Sequence, residues 1–275
     1  MKKFVKKIVN YLKNFIKYIR KGGITYIEIN QIHSEEMLKD KNIIITGGTS
    51  GIGYTIAKKC IDLGAKVIVT GRDIQKLEQV KKELNCEIIE WDISNINEYK
   101  EKVKEIVEIL NGKIDCFVNN AGIYKSINYN NCNKEDWDKI MNTNLTGLYF
   151  ATNEIVTQCF EKNNKGNIVN IASIAGMNSN IGPYGISKSG VIHYTKGLAK
   201  QLLNKNIRVN GINPGVTVSN INPIDDDNIY MEQVPGKRMI LAEEIADIVV
   251  FLISDSSSCI TGQIITCDNG ATLIA

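Results

Sequence analysis

From Lys41 to the C-terminus, short apolar runs alternate with longer amphipathic stretches. Asn42-Ile-Ile-Ile-Thr46 is continuously apolar in its middle, which predicts a strand buried on both faces, as in a parallel sheet covered by helices. Ile52 to Leu63 returns to apolar residues at helical spacing and predicts a helix, and Lys66 to Thr70 predicts the next strand, so the three form a βαβ unit. Further strands are predicted near Cys86 to Glu90, Ile114 to Asn119, Asn167 to Ala172, Ile207 to Ile212 and Gln263 to Cys267. Helical patterns lie between them, the last near Glu243 to Ser254. This march implies an α/β fold with a doubly wound parallel sheet of about seven strands flanked by helices. Four prolines and no internal repeat leave residues 41–275 as one expected domain.

A different pattern occupies residues 1–23. Phe4, Ile8, Tyr11, Leu12, Phe15 and Ile19 follow the rhythm of one helical face, and Val5, Val9, Ile16 and Tyr18 widen it. Charge changes this picture. Lys2, Lys3, Lys6, Lys7, Lys13, Lys17, Arg20 and Lys21 are eight of the chain's 33 basic residues, and no acid stands among them. The other 25 basic residues face 30 acids, so the net charge of +3 divides into +8 for the tail and −5 for the rest. No apolar run in the tail exceeds two residues, which excludes a membrane span and a secretory core. A basic amphipathic helix ending at Gly22-Gly23 is expected, followed by a connector over 24–40. Such a helix suits an anionic membrane surface. A partner subunit and a nucleic-acid or other anionic contact are the competing readings for the helix, and nucleic acid is not expected as a partner of the protein as a whole.

The length and the 43% apolar content suffice for a substantial core. Seven cysteines, an odd number without a Cys-x-x-Cys pair, suggest neither a disulfide framework nor a zinc site and point to a reducing cytoplasm. His33 and His193 are too few for a metal cluster or a Ser/His/Asp hydrolase, so no metal is expected.

Candidate chemistry lies in four stretches: Thr46-Gly-Gly-Thr-Ser-Gly-Ile-Gly53, Asn119-Asn-Ala-Gly122, Ser173 and Tyr184-Gly-Ile-Ser-Lys188. In the first, Gly47 allows a tight turn out of a strand, Gly51 lets the backbone approach a pyrophosphate, and Gly53 permits close packing of the next helix, whose N-terminal amides favour negative charge. Ser50 and Ile52 complete that phosphate-binding turn. Tyr184 and Lys188 stand four residues apart and so share one face of a helix. A phenol with an ordinary pKa near about 10 is a poor acid or base at neutral pH, and a neighbouring ammonium is expected to lower it. Ser173, just beyond an apolar run, can donate a hydrogen bond to a substrate oxygen.

With the spacing Thr-Gly-x-x-x-Gly-x-Gly, the chain resembles the short-chain dehydrogenase/reductase family over about residues 41–275. Gln233-Val-Pro-Gly-Lys-Arg and Ser257-Ser-Cys-Ile-Thr-Gly-Gln-Ile-Ile resemble its 3-oxoacyl-acyl-carrier-protein reductase branch. The resemblance implies a Rossmann-type fold, hydride exchange between nicotinamide and a carbonyl or secondary alcohol, and homodimers or homotetramers. It assigns Asp92, with Ile93, to the adenine; Asn120, Ala121 and Gly122 to the adenosine ribose; and Pro214, Gly215, Val216 and Thr217 to the nicotinamide carboxamide. It gives Lys188 the nicotinamide ribose as well as the proton relay. Asn144 corresponds to a fourth member that positions a water, completing Asn144, Ser173, Tyr184 and Lys188.

The second strand ends Val69-Thr70-Gly71-Arg72-Asp73, where an NAD enzyme usually places an acid to hold the ribose hydroxyls. Gly71 stands there and Arg72 follows. A guanidinium can pair with a 2′-phosphate, so NADP(H) is expected over NAD(H), with Asp73 engaged as the N-cap of the following helix.

The segments Ile123 to Asn131, Met177 to Pro183 and Ser219 to Pro235 are expected to border the substrate pocket. They are rich in Asn, Ser and Tyr, which favours a polar substrate such as a keto-sugar. Asp225-Asp-Asp227 would repel an acidic carrier protein and weighs against a 3-oxoacyl substrate. Two other functions compete: a nucleotide-binding scaffold or redox sensor without turnover, and a membrane recruiter in which the tail is primary.

Overall fold

The computed structural model describes residues 37–127, 130–178, 180–219, 222 and 228–273, with Ile8, Val9, Leu12, Lys13, Phe15, Ile16 and Ile19 of the N-terminal segment. Seven strands form one parallel sheet: β1 (Asn42–Thr46), β2 (Lys66–Gly71), β3 (Glu87–Glu90), β4 (Cys116–Asn119), β5 (Gly166–Ile171), β6 (Ile207–Pro214) and β7 (Ile264–Cys267). Their spatial order is β3-β2-β1-β4-β5-β6-β7, with Ile44 of β1 opposite Ile68 on one side and Phe117 on the other. The chain reverses its direction of travel between β1 and β4, and a sheet of this kind opens a crevice at that point, beyond the carboxyl ends of the strands.

Alternation along the strands feeds two cores. Ile43, Ile45, Val67, Val69 and Val118 face helices α1 (Gly51–Asp62) and α7 (Ala242–Ile253), packing with Ile56, Cys60, Ile245 and Val249. Ile44, Ile68, Phe117 and Ile168 face the opposite layer, where Val103 and Ile106 of α3 (Tyr99–Ile109), Ala151 and Ile155 of α5 (Leu148–Ile155) and Leu198 and Leu202 of α6 (Pro183–Leu202) cover them. Two helices complete the set, α2 (Ile74–Leu84) and α4 (Lys134–Met141). All seven predicted strands and the βαβ opening are present, with ends shifted by one or two residues. The core reaches further toward the N-terminus than residue 41, because Leu38 is fully buried and its amide donates to the Leu63 carbonyl at 3.0 Å.

All seven cysteines are free, and burial pushes the Cys116 thiol up to about 12, so it behaves as a small apolar group. The described residues of the N-terminal segment are helical and their apolar side chains are about half exposed. The remaining lysines and aromatics of that face, Gly22-Gly23, His33 and most of the expected connector lie outside the described residues. Among the described residues no helix is long and apolar enough to cross a membrane.

Candidate functional site

The glycine turn and the Asn120 segment meet at the crevice. Gly47 leaves β1 with φ +65°, and a Cβ there would stand 2.8 Å from the Ala121 Cα. At Gly53 a Cβ would stand 2.3 Å from Asn120 Nδ2 and 2.4 Å from the Gly47 carbonyl, so the close approach of α1 needs glycine. Asn120 Nδ2 donates to the Thr46 and Gly47 carbonyls at 3.0 Å, and Thr46 Oγ1 accepts from the Asn120 and Ala121 amides at 3.1 Å. Ser50 makes no side-chain cap to α1, whose first turn holds no acid, which leaves amide donors and the positive end of the helix for an anion.

A cleft of about 450 Å³ opens over this turn. It gathers Gly47, Ser50, Gly51, Ile52, Gly53, Arg72, Asp92, Ile93, Asn120, Ala121, Gly122, Ser173, Tyr184, Lys188, Pro214, Gly215 and Thr217. Val216 lines the adjoining cavity instead. Asp92 turns one carboxylate oxygen back on Ser94, accepting from its amide at 3.0 Å and its hydroxyl at 2.7 Å.

At the end of β2, Asp73 caps α2 as expected: its Oδ1 accepts from the Gln75 and Lys76 amides at 3.1 and 3.2 Å. Lys76 Nζ stands 3.8 Å from its other oxygen and lines the cleft with Arg72. The acid that would disfavour a phosphate is thus turned to its own helix beside a compensating cation.

The four catalytic candidates converge from three elements. Lys188, buried on α6, donates to the Ile171 carbonyl at 2.8 Å, and burial draws its pKa down to about 8. Ser173, two residues past that carbonyl, accepts from the Ala175 amide at 3.2 Å and hydrogen bonds to Tyr184. Asn144 is fully buried on a widened π-helical turn, Asn142–Gly147, between α4 and α5. Its amide clamps Ile123, accepting from the backbone N–H at 2.8 Å and donating to the carbonyl at 2.9 Å, with a further bond to Ser187 Oγ at 3.3 Å. A Cβ on Gly122 would meet Asn144 Oδ1 at 3.4 Å and Lys188 Nζ at 3.5 Å, so both groups border the same point.

One expectation is corrected. The Tyr184 pKa is raised, not lowered: burial dominates, the Ser173 hydrogen bond opposes it, and the neighbouring Tyr124 adds to the rise. Lys188 Nζ stands 5.8 Å from the centroid of the ring and is itself starved of solvent, so it does not supply the expected lowering.

A family model described as enoyl-(acyl carrier protein) reductase matches residues 47–272. The chain belongs to the short-chain dehydrogenase/reductase family. It is therefore an oxidoreductase of the nicotinamide-dependent class. Among short-chain reductases it is 33% identical to the 3-oxoacyl-[acyl-carrier-protein] reductase of Aquifex aeolicus, over 86% of this chain and 99% of that protein. It is 35% identical to the enzyme of that name from Thermotoga maritima, over 86% and 99%. A short-chain dehydrogenase/reductase from Mycobacterium marinum superposes with a TM-score of 0.79 at 29% identity, over 86% of this chain and 98% of that one. An actinorhodin polyketide ketoreductase variant solved with NADPH gives 0.78 at 28% identity, over 84% and 97%.

Within this short-chain reductase a second cavity, of about 860 Å³, adjoins the cleft and shares Ser173, Tyr184, Gly215 and Asn222 with it. Each of the three expected bordering segments contributes: Tyr124, Ser126 and Asn130 from the first, Asn178 and Asn180 from the second, Asn222 from the third. Tyr124 stands at right angles to the Tyr184 ring with centroids 5.0 Å apart. The Asp225 to Asp227 run lies outside the described residues. Sequence reasoning missed Lys76, although a lysine and no acid in the first turn of α2 runs against the helix dipole and so marks a waiting anion. It also missed the π-turn, which leaves no compositional trace.

Proposed function

We propose that this protein is an NADP(H)-dependent carbonyl reductase that works on a polar, hydroxylated substrate, with alcohol oxidation as the reverse. The observation that carries the reading is the sharing of Ser173 and Tyr184 between the dinucleotide-sized cleft and the outer cavity, where cofactor and substrate must touch. A bound reduced nicotinamide supplies the hydride. Tyr184, its pKa raised by burial, keeps its proton at neutral pH and can deliver it to the nascent alkoxide. The Ser173 oxygen already accepts from Ala175, which leaves its O–H to donate to the substrate oxygen. Lys188 spends one N–H on Ile171 and has two for ribose hydroxyls. Asn144 fixes the Ile123 backbone beside Gly122 and so holds the wall of the site. Arg72 and Lys76, with Asp73 committed to its cap, favour a 2′-phosphate.

Self-association as a homodimer or homotetramer belongs to the same reading, and half-exposed Tyr149 and Phe150 on α5 give it an apolar face. Sedimentation velocity reads it, and a monomer at assay concentrations counts against it. The protein is placed in the cytoplasm, with its basic extension as the part that meets a membrane face. The deciding experiment follows NADPH consumption with a panel of simple ketones, keto-sugars and 3-oxoacyl thioesters. Turnover of a polar carbonyl that disappears in Tyr184→Phe supports the reading; tight NADPH binding without turnover of any carbonyl replaces it with the scaffold.

A further inference from the structure

The N-terminal helix carries two faces that no single soluble ligand satisfies. Ile8, Val9, Leu12, Phe15, Ile16 and Ile19 are helical and each is 44–58% exposed, so the chain's own fold does not cover them. Projected at about 100° per residue, all eight basic residues of positions 1–21 fall within an arc of about 140°. The large apolar and aromatic residues of those positions fall within the opposite half-circle, and neither class intrudes on the other.

We infer that this helix lies in the interfacial plane of an anionic phospholipid bilayer and holds the oxidoreductase domain at its surface. The inference goes beyond the reductase reading and does not depend on it. Its apolar half-circle would sink about 5–10 Å, to the boundary of headgroups and acyl chains. Cations at the edges of the basic arc would reach back to the phosphates on their long stems, and the rest would add attraction to the negative surface. Nucleic acid would engage the lysines and leave a row of aliphatic side chains in water. A protein groove would need an acidic rim matching eight cations beside an apolar floor. An anionic bilayer offers both along the whole length of the helix, and the −5 charge on the remainder of the chain turns the domain away from that surface.

The test is co-sedimentation of the full chain with vesicles of phosphatidylcholine alone or mixed with phosphatidylglycerol, at low and high salt, for wild type, Leu12→Glu/Phe15→Glu and Lys13→Glu/Lys17→Glu. Thermal unfolding and NADPH turnover in the absence of lipid are followed in parallel. Expected are binding to the mixed vesicles only, weakened by salt, reduced about tenfold or more by the first variant and several-fold by the second, with unfolding unchanged. Equal binding of wild type and Leu12→Glu/Phe15→Glu overturns the inference. So does stronger retention on duplex DNA than on mixed vesicles, or a change in oligomeric state on Leu12→Glu/Phe15→Glu without lipid, which would make the helix a subunit contact. Vesicle binding by a protein that turns over no carbonyl leaves this inference standing and removes the reductase reading alone.

Discussion

Lys188 Nζ sits 5.8 Å from the centroid of the Tyr184 ring and gives its hydrogen bond to the Ile171 carbonyl 2.8 Å away. Its pKa falls from 10.5 to about 8 through burial alone. Because the folded value lies below the unfolded one, the ammonium burdens the folded state below pH 8. That burden is relieved as pH rises from about 8 to 10.5, where the unfolded chain holds the proton longer. The full shift corresponds to about 3 kcal/mol. Lys188→Met should therefore unfold later than wild type in urea near neutral pH without cofactor. Its advantage should shrink by about 2 kcal/mol or more toward pH 10; an advantage independent of pH would refute this account.

The raised pKa of Tyr184 separates its chemistry from cofactor binding. Tyr184→Phe keeps the ring against Tyr124 and loses only the proton donor. NADPH affinity should stay within about threefold while kcat drops by about three orders of magnitude or more. Fluorescence titration and steady-state rates measure the two, and a variant with more than a tenth of wild-type kcat would assign the proton to another group.

The fold was legible because buried parallel strands leave uninterrupted apolar runs, as in Ile43 to Ile45, and because the glycine turn needs a shape that few residues allow. Tyr184 and Lys188 were legible as one helix face, since a spacing of four fixes direction. Spacing says nothing about how much solvent reaches either group, so the sign of the Tyr184 shift came out wrong: desolvation is a property of the assembled layers. The π-turn was hidden for a related reason. It rests on Asn144 reaching Ile123, 21 residues away in sequence, and on Gly147, where a Cβ would stand 2.3 Å from the Ile93 carbonyl.

Asn144→Ala tests that turn. It deletes both bonds to Ile123 and leaves an amide and a carbonyl of the cleft wall without partners. The expected cost is about 1–3 kcal/mol in unfolding free energy, with a fall in kcat. Asn144→Asp keeps an acceptor for the Ile123 amide and loses the donor to its carbonyl, so its stability should fall between the other two. Denaturant titration of the three proteins checks the order, and an alanine variant as stable as wild type would show that Ile123 finds other partners.

Cofactor choice should divide between neighbours at the end of β2. Arg72→Ala removes a cation whose charge-assisted bond to a phosphate is worth about 1.5–3 kcal/mol, so kcat/KM for NADPH should fall about 10–100-fold while that for NADH changes little. Lys76→Ala should shift the ratio in the same direction by less, since its ammonium also serves Asp73. Asp73→Ala deletes the cap that accepts from Gln75 and Lys76, which should cost about 1 kcal/mol of stability and leave the preference for NADPH in place. Initial rates with both cofactors and a denaturant curve for each variant separate the roles. If the ratio is untouched in Arg72→Ala yet moves in Asp73→Ala, the carboxylate rather than the guanidinium reads the ribose.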